Sequence, residues 1–80
     1  MVTPESIKQG IEAGIASERV EVAGDGQHFQ ALVVSSAFAG KSRVQRHQLV
    51  YAALGERMRE EIHALSMRTL TPEEWKAESA

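Results

Sequence analysis

The Gly24-Asp25-Gly26 triplet constrains this chain more than any other feature, because it joins two runs of strand-forming residues. Two glycines around an aspartate are turn chemistry that permits positive φ, so the backbone should reverse there. Before the turn, Val20 and Val22 alternate with charged neighbours from Arg19 to Val22. After it, His28 to Ser35 reads HFQALVVS, rich in β-branched and aromatic residues, as a strand with both faces partly covered would be. An antiparallel hairpin is expected, and the other elements must be arranged around it.

Helix signals flank the hairpin. Thr3-Pro4-Glu5 reads as an N-cap, a proline in the first turn and an acid beside it, and Ile7, Ile11 and Ile15 recur every four residues. This predicts an amphipathic helix ending near Ala16. Ser36 to Lys41 reads as a loop closed by Gly40, and Ser42 as the N-cap of a helix with Val44, His47, Tyr51, Leu54 and Met58 on its buried stripe. Gly55 should divide that helix in two. Ile62 to Thr69 (IHALSMRT) alternates again and predicts a third strand, while Thr71-Pro72-Glu73-Glu74 is a capping box opening a last helix that carries Trp75.

The order α-β-β-α-α-β-α predicts an α+β domain with a three-stranded mixed sheet and helices packed on it. Eighty residues, 42% of them hydrophobic, make a single domain over residues 1–80, with 1–2 and 78–80 expected to fray. A chain this short buries only about 60–65% of its unfolded surface, which argues against a self-contained enzyme with a deep pocket. The net charge of −2 gives no global attraction to nucleic acid or anionic lipid. The first residues, MVTPESIKQG, lack the basic and apolar regions of a secretory signal, and no run is apolar enough to cross a membrane, so a cytoplasmic protein without membrane contact is expected.

Chemistry concentrates in the histidines, since the chain has no cysteine. His28 begins the second strand and His63 the third, and a helical crossover between these strands permits a parallel pairing. Parallel neighbours start at one edge, about 4.8 Å apart, so the two imidazoles would share it. Two neutral nitrogens and no thiol make half of a metal or iron-sulfur site whose sulfur must come from a partner. A mononuclear zinc site from His28, His63 and Asp25 is the other metal reading.

The stretches GDGQHF, FAGKSRVQRHQLVY and IHALSMRTLTPEEW resemble the BolA family, and the GDG-x-HF segment resembles its IbaG-like bacterial branch most closely. The resemblance runs from the first helix to Trp75 and implies a class II KH-like fold. It implies further that the chain pairs with a monothiol glutaredoxin and shares a two-iron, two-sulfur cluster with it and glutathione, in iron-sulfur trafficking or iron sensing. His63 is the ligand that the resemblance implies first, with His28 from the preceding loop as the second. No cluster is expected on the isolated chain, which would be a monomer or weak homodimer when free. Because histidine ligands must be neutral, assembly should weaken as pH falls through the imidazole range near about 6.5.

The rival reading rests on Lys41, Ser42, Arg43 and Arg46, three cations around a helix N-cap that would suit phosphate from nucleic acid or a small anion. Some BolA-like proteins are implicated in DNA binding and transcriptional regulation, which keeps nucleic acid as a possible partner. The glycines at 10, 14, 24, 26, 40 and 55 contain no two spaced by three, so the GxxG clamp of KH domains is missing. His47 reads as a packed histidine with a hydrogen-bonded tip and Trp75 as a sealing aromatic. No G-x-S-x-G elbow or H-E-x-x-H helix points to an enzyme.

Overall fold

A computed structural model describes the backbone of residues 2–62 and 64–79 and the side chains of 2–56, 62 and 64–79. The element order is α1 (Pro4–Gly14), β1 (Arg19–Gly24), β2 (His28–Val34), a 3-10 turn (Ser36–Phe38), α2 (Arg43–Glu61), β3 (Ala64–Leu70) and α3 (Pro72–Ser79). The sheet has the order β1-β2-β3, with β1 and β2 antiparallel and β2 and β3 parallel. This is the mixed three-stranded α+β arrangement that the turn and cap signals predict.

Strand alternation separates two faces. Val20 lies across from Val33, and Val22 from Ala31, while Phe29, Ala31 and Val33 pair with Leu65, Met67 and Thr69. These residues face α1 and α2, where Ile7, Ile11, Val33, Phe38 and Val50 are fully buried. The opposite parity carries Arg19, Val34 and Leu70 in one row and Glu21, Leu32 and Arg68 in the next. On that side the Arg19 guanidinium lies 5.2 Å from the centre of the Trp75 ring, and Arg68 pairs with Glu78 at 2.5 Å. Thus α3 covers one end of the second face, and Trp75 is the half-buried sealing aromatic expected of it.

The caps explain where the helices start. Thr3 and Ser6 form a reciprocal capping box, and so do Ser42 with Gln45 and Thr71 with Glu74. Gly55 (φ 82, ψ 160) breaks α2 into two helical pieces, in a conformation that side chains resist.

Four expectations need correction. Val2 does not fray: it is 7% exposed and belongs to the core cluster with Ile7. Standing just before the Thr3 cap, it is placed to staple against the residue one turn into the helix. At the other end α3 continues to Ser79, and the Glu78 ion pair to Arg68 ties its last turn to the sheet. The first helix stops at Gly14, where Ile15 takes an extended conformation and still packs its side chain into the core. In α2 the buried line runs through Val50 and Leu54, and Val44 is 64% exposed. Val44 belongs to the first turn, which runs beside the end of β3 rather than over the sheet. Met58 lies outside the described side chains.

Candidate metal-ligand edge and basic groove

The turn before β2 is closed by one carboxylate. Asp25 Oδ1 accepts the backbone N–H of Gln27 at 3.0 Å and of His28 at 2.9 Å, and the Asp25 N–H donates to the His28 carbonyl at 3.2 Å. Gly26, at φ 101, supplies the conformation that this tight loop requires. These bonds, the His28 N–H first, hold the Asp25 carboxyl below its ordinary range.

That turn fixes His28 as the first residue of β2, with its side chain 74% exposed. Its Nδ1 stands 4.0 Å from Asp25 Oδ2. A shallow hollow of about 300 Å³ beside it is lined by Ala23, Gly24, Asp25, His28 and Gln30. Across the sheet, His28 pairs with Ala64, the residue following His63 in the chain. His63 itself lies outside the described residues. Among the described residues no group of three or more histidine, aspartate or glutamate side chains is placed to hold an ion. A second accessible imidazole or an external donor set is therefore needed before this edge can ligate a metal.

The second region lies at the far end of β3. Arg46 reaches from the first turn of α2, donating through Nη1 to the Thr69 carbonyl at 3.0 Å and to Glu74 Oε1 at 2.7 Å, and through Nε to the Lys41 carbonyl at 3.0 Å. Its side chain is only 13% exposed. The Arg46 guanidinium and then the Thr71 N–H hold the Glu74 carboxyl below its ordinary range. Of the residues expected to bind anions, Arg46 is thus engaged by the fold and Ser42 by its cap, while Lys41 and Arg43 are exposed, with no side-chain partner among the described residues. His47 is half-buried beside them, and its ring makes no hydrogen bond among the described residues.

The composite role of Arg46 escapes the sequence, because its partners Thr69 and Glu74 stand 23 and 28 positions away. Its one local signal is the KSRVQR run, which reads as a free basic patch. No helix among the described residues is long and apolar enough to cross a membrane.

Known proteins share this architecture and these motifs. The model of the BolA-like protein family matches residues 3–74. The DNA-binding transcriptional regulator BolA of Haemophilus influenzae is 45% identical over 56 residues, covering 70% of this chain and 54% of that protein, so the match spans about half of the relative's length. The acid stress protein IbaG of Escherichia coli K12 is 44% identical over 62 residues, covering 76% of this chain and 74% of that one. The solved structure of a bolA protein homologue from Coxiella burnetii superposes with a TM-score of 0.83 at 49% identity, over 95% of this chain and 99% of that one. With a family match over nearly all of its length, the chain belongs to the BolA-like proteins.

Proposed function

We propose that this chain is an adaptor that docks a monothiol glutaredoxin and co-ligates a bridging two-iron, two-sulfur cluster through His28 and His63, in iron-sulfur trafficking or iron sensing. One observation carries most of the reading. His28 stands exposed at the start of β2, in register with the residue that follows His63 at the start of β3. His63 enters from the family resemblance and from its place in the sequence.

The donor chemistry fits a shared site and not a resident one. With no cysteine in the chain, every thiolate must come from glutaredoxin and glutathione. The cluster is cargo held between the two proteins, and imidazole ligation raises its reduction potential relative to thiolate alone. The chain's own contribution is to present a neutral ring nitrogen. Asp25 fixes the backbone at His28 through its Oδ1, so the turn sets where the ring stands at the sheet edge.

The test is anaerobic reconstitution of the chain with a monothiol glutaredoxin and glutathione, followed by visible circular dichroism. The mixture should give a spectrum that is not the sum of its parts, and His63→Ala and His28→Ala should each abolish it. A spectrum unchanged in His63→Ala would sink the ligand assignment.

A second reading has its own support. Lys41 and Arg43 are exposed cations with no side-chain partner among the described residues, and one relative is named as a DNA-binding transcriptional regulator. If DNA is bound there, affinity should fall steeply with salt, by a slope that Lys41→Ala and Arg43→Ala each reduce by about one.

A further inference from the structure

Among the described residues no strand pairs with the outer edge of β3, the last strand in the sheet order. Strand geometry says which of its groups are unpaired. The Ser35 N–H donates to the Leu70 carbonyl, so Leu70 points toward β2, and alternation sends Ser66 and Arg68 the same way. Leu65, Met67 and Thr69 therefore direct their amides and carbonyls outward. The outward carbonyl of Thr69 is already taken by Arg46. What remains is the backbone of Met67, with Leu65 one repeat before it.

A hollow of about 540 Å³ runs along this edge. Its lining includes four consecutive residues of β3, Met67 to Leu70, which belong to both faces of the strand, so the hollow follows the strand's side and not one face. The start of α2 forms one wall, with Lys41, Arg43 and His47, and α3 forms the other, with Glu74 and Glu78. Both glutamates are paired, to Arg46 and Arg68. Among the described residues, the charges in the hollow that lack an ion-pair partner, Lys41 and Arg43, are therefore positive, although the whole chain is net negative.

We propose that this groove docks an extended acidic segment of a partner protein, which adds to the β3 edge at Met67 and sets its carboxylates against Lys41 and Arg43. A strand-like segment offers the alternating N–H and C=O groups that an open edge requires. Four residues of β3 span about 13 Å, enough for a short docking segment. Nucleic acid suits the groove less well. Its backbone has no amide donor for the Met67 carbonyl, whereas a peptide strand supplies one. This proposal is independent of the cluster reading, because none of its residues is a proposed ligand.

The experiment titrates the nitrogen-15-labelled chain with a capped peptide of about six alternating valines and glutamates, the length of a typical strand. The same peptide with N-methylated valines, inorganic phosphate and a single-stranded DNA serve as the other probes. The unmodified peptide should shift the Met67 and Thr69 amides and slow exchange at Met67. The Lys41→Glu, Arg43→Glu double variant, both sites being exposed, should weaken it by about tenfold or more. N-methylation should abolish the effect. The proposal is overturned if the Met67 amide does not respond to the peptide, or if the N-methylated peptide, phosphate or DNA reproduces the same shifts at equal concentration.

Discussion

The two ends of the parallel β2-β3 pair are built to opposite specifications. At the starting end, one exposed histidine rests on a four-residue turn whose side-chain bonds all come from Asp25. At the finishing end, Arg46 joins α2, β3 and α3, Thr71 caps α3, and the fully buried Ser35 hydroxyl donates to the Ala16 carbonyl at 2.6 Å. Arg46, Thr71, Glu74 and Ser35 at the finish are used by the fold, whereas the start leaves a ring nitrogen for something outside it. On the proposed reading, ligand chemistry sits where the fold asks least of the side chain. His28 exchanged at the start should change what the protein binds, and Arg46 exchanged at the finish should change how stably it folds.

The largest effect would come from the foundation that both ends share. Phe29 follows His28, is 1% exposed, and pairs in register with Leu65. Phe29→Ala should cost about 3–5 kcal/mol of stability, enough to remove most of the margin of a domain this small. Urea unfolding followed by circular dichroism measures it, and a loss under about 1 kcal/mol would mean that the strand starts are not anchored in the core.

Next comes the finishing end itself. Arg46→Ala strands the Thr69 carbonyl and removes the Glu74 ion pair, so a loss of about 1–3 kcal/mol is expected from the same unfolding curves. A silent Arg46→Ala would erase the contrast between the two ends and return Arg46 to the pool of free cations.

Acid sharpens the same contrast. The Glu74 carboxyl is held below its ordinary value of 4.5, chiefly by Arg46. A group depressed in the folded state contributes stability that is fully present above its unfolded value and is lost as pH falls through the folded one. Stability should therefore be flat on this account above about pH 5 and decline below the ordinary carboxylate range. Glu74→Gln should flatten that decline while leaving the neutral-pH unfolding cooperative. If its acid limb matches the wild type's, Glu74 is not the linkage group. Asp25 follows the same sign, since its carboxyl is also held down, by the N–H groups of His28 and Gln27.

How much of this was legible in the sequence follows from the range of each interaction. The hairpin, the three caps and the Gly55 break are local, set by residues within four positions of one another, and the chain spells them out. The parallel pairing follows from topology, because a helix separates β2 from β3. The phase of α2 was misjudged at Val44, since hydrophobic spacing gives a stripe but not the point where the sheet beneath it ends. The Arg46 tie and the β3 groove were hidden for the same reason: they are assembled from three segments whose approach no local pattern records. His28 was visible as a strand-starting histidine, and its Asx turn was foreshadowed by Gly24-Asp25-Gly26, but Asp25 was read as a turn former and possible zinc ligand and not as the clamp on the His28 backbone.

The smallest expected effect on stability is the one that decides the comparison. His28 is 74% exposed at its side chain, no described hydrogen bond depends on its ring, and its backbone bonds to Asp25 survive truncation. His28→Ala should therefore shift unfolding by no more than about 0.5 kcal/mol, the range for exposed positions without special contacts. The same variant should lose the mixed spectrum with glutaredoxin and glutathione. A stability loss above about 1 kcal/mol would show that the ring is structural, and a retained spectrum would move the second ligand to another residue. A neutral fold with a lost spectrum is what distinguishes an end built for binding from an end built for packing.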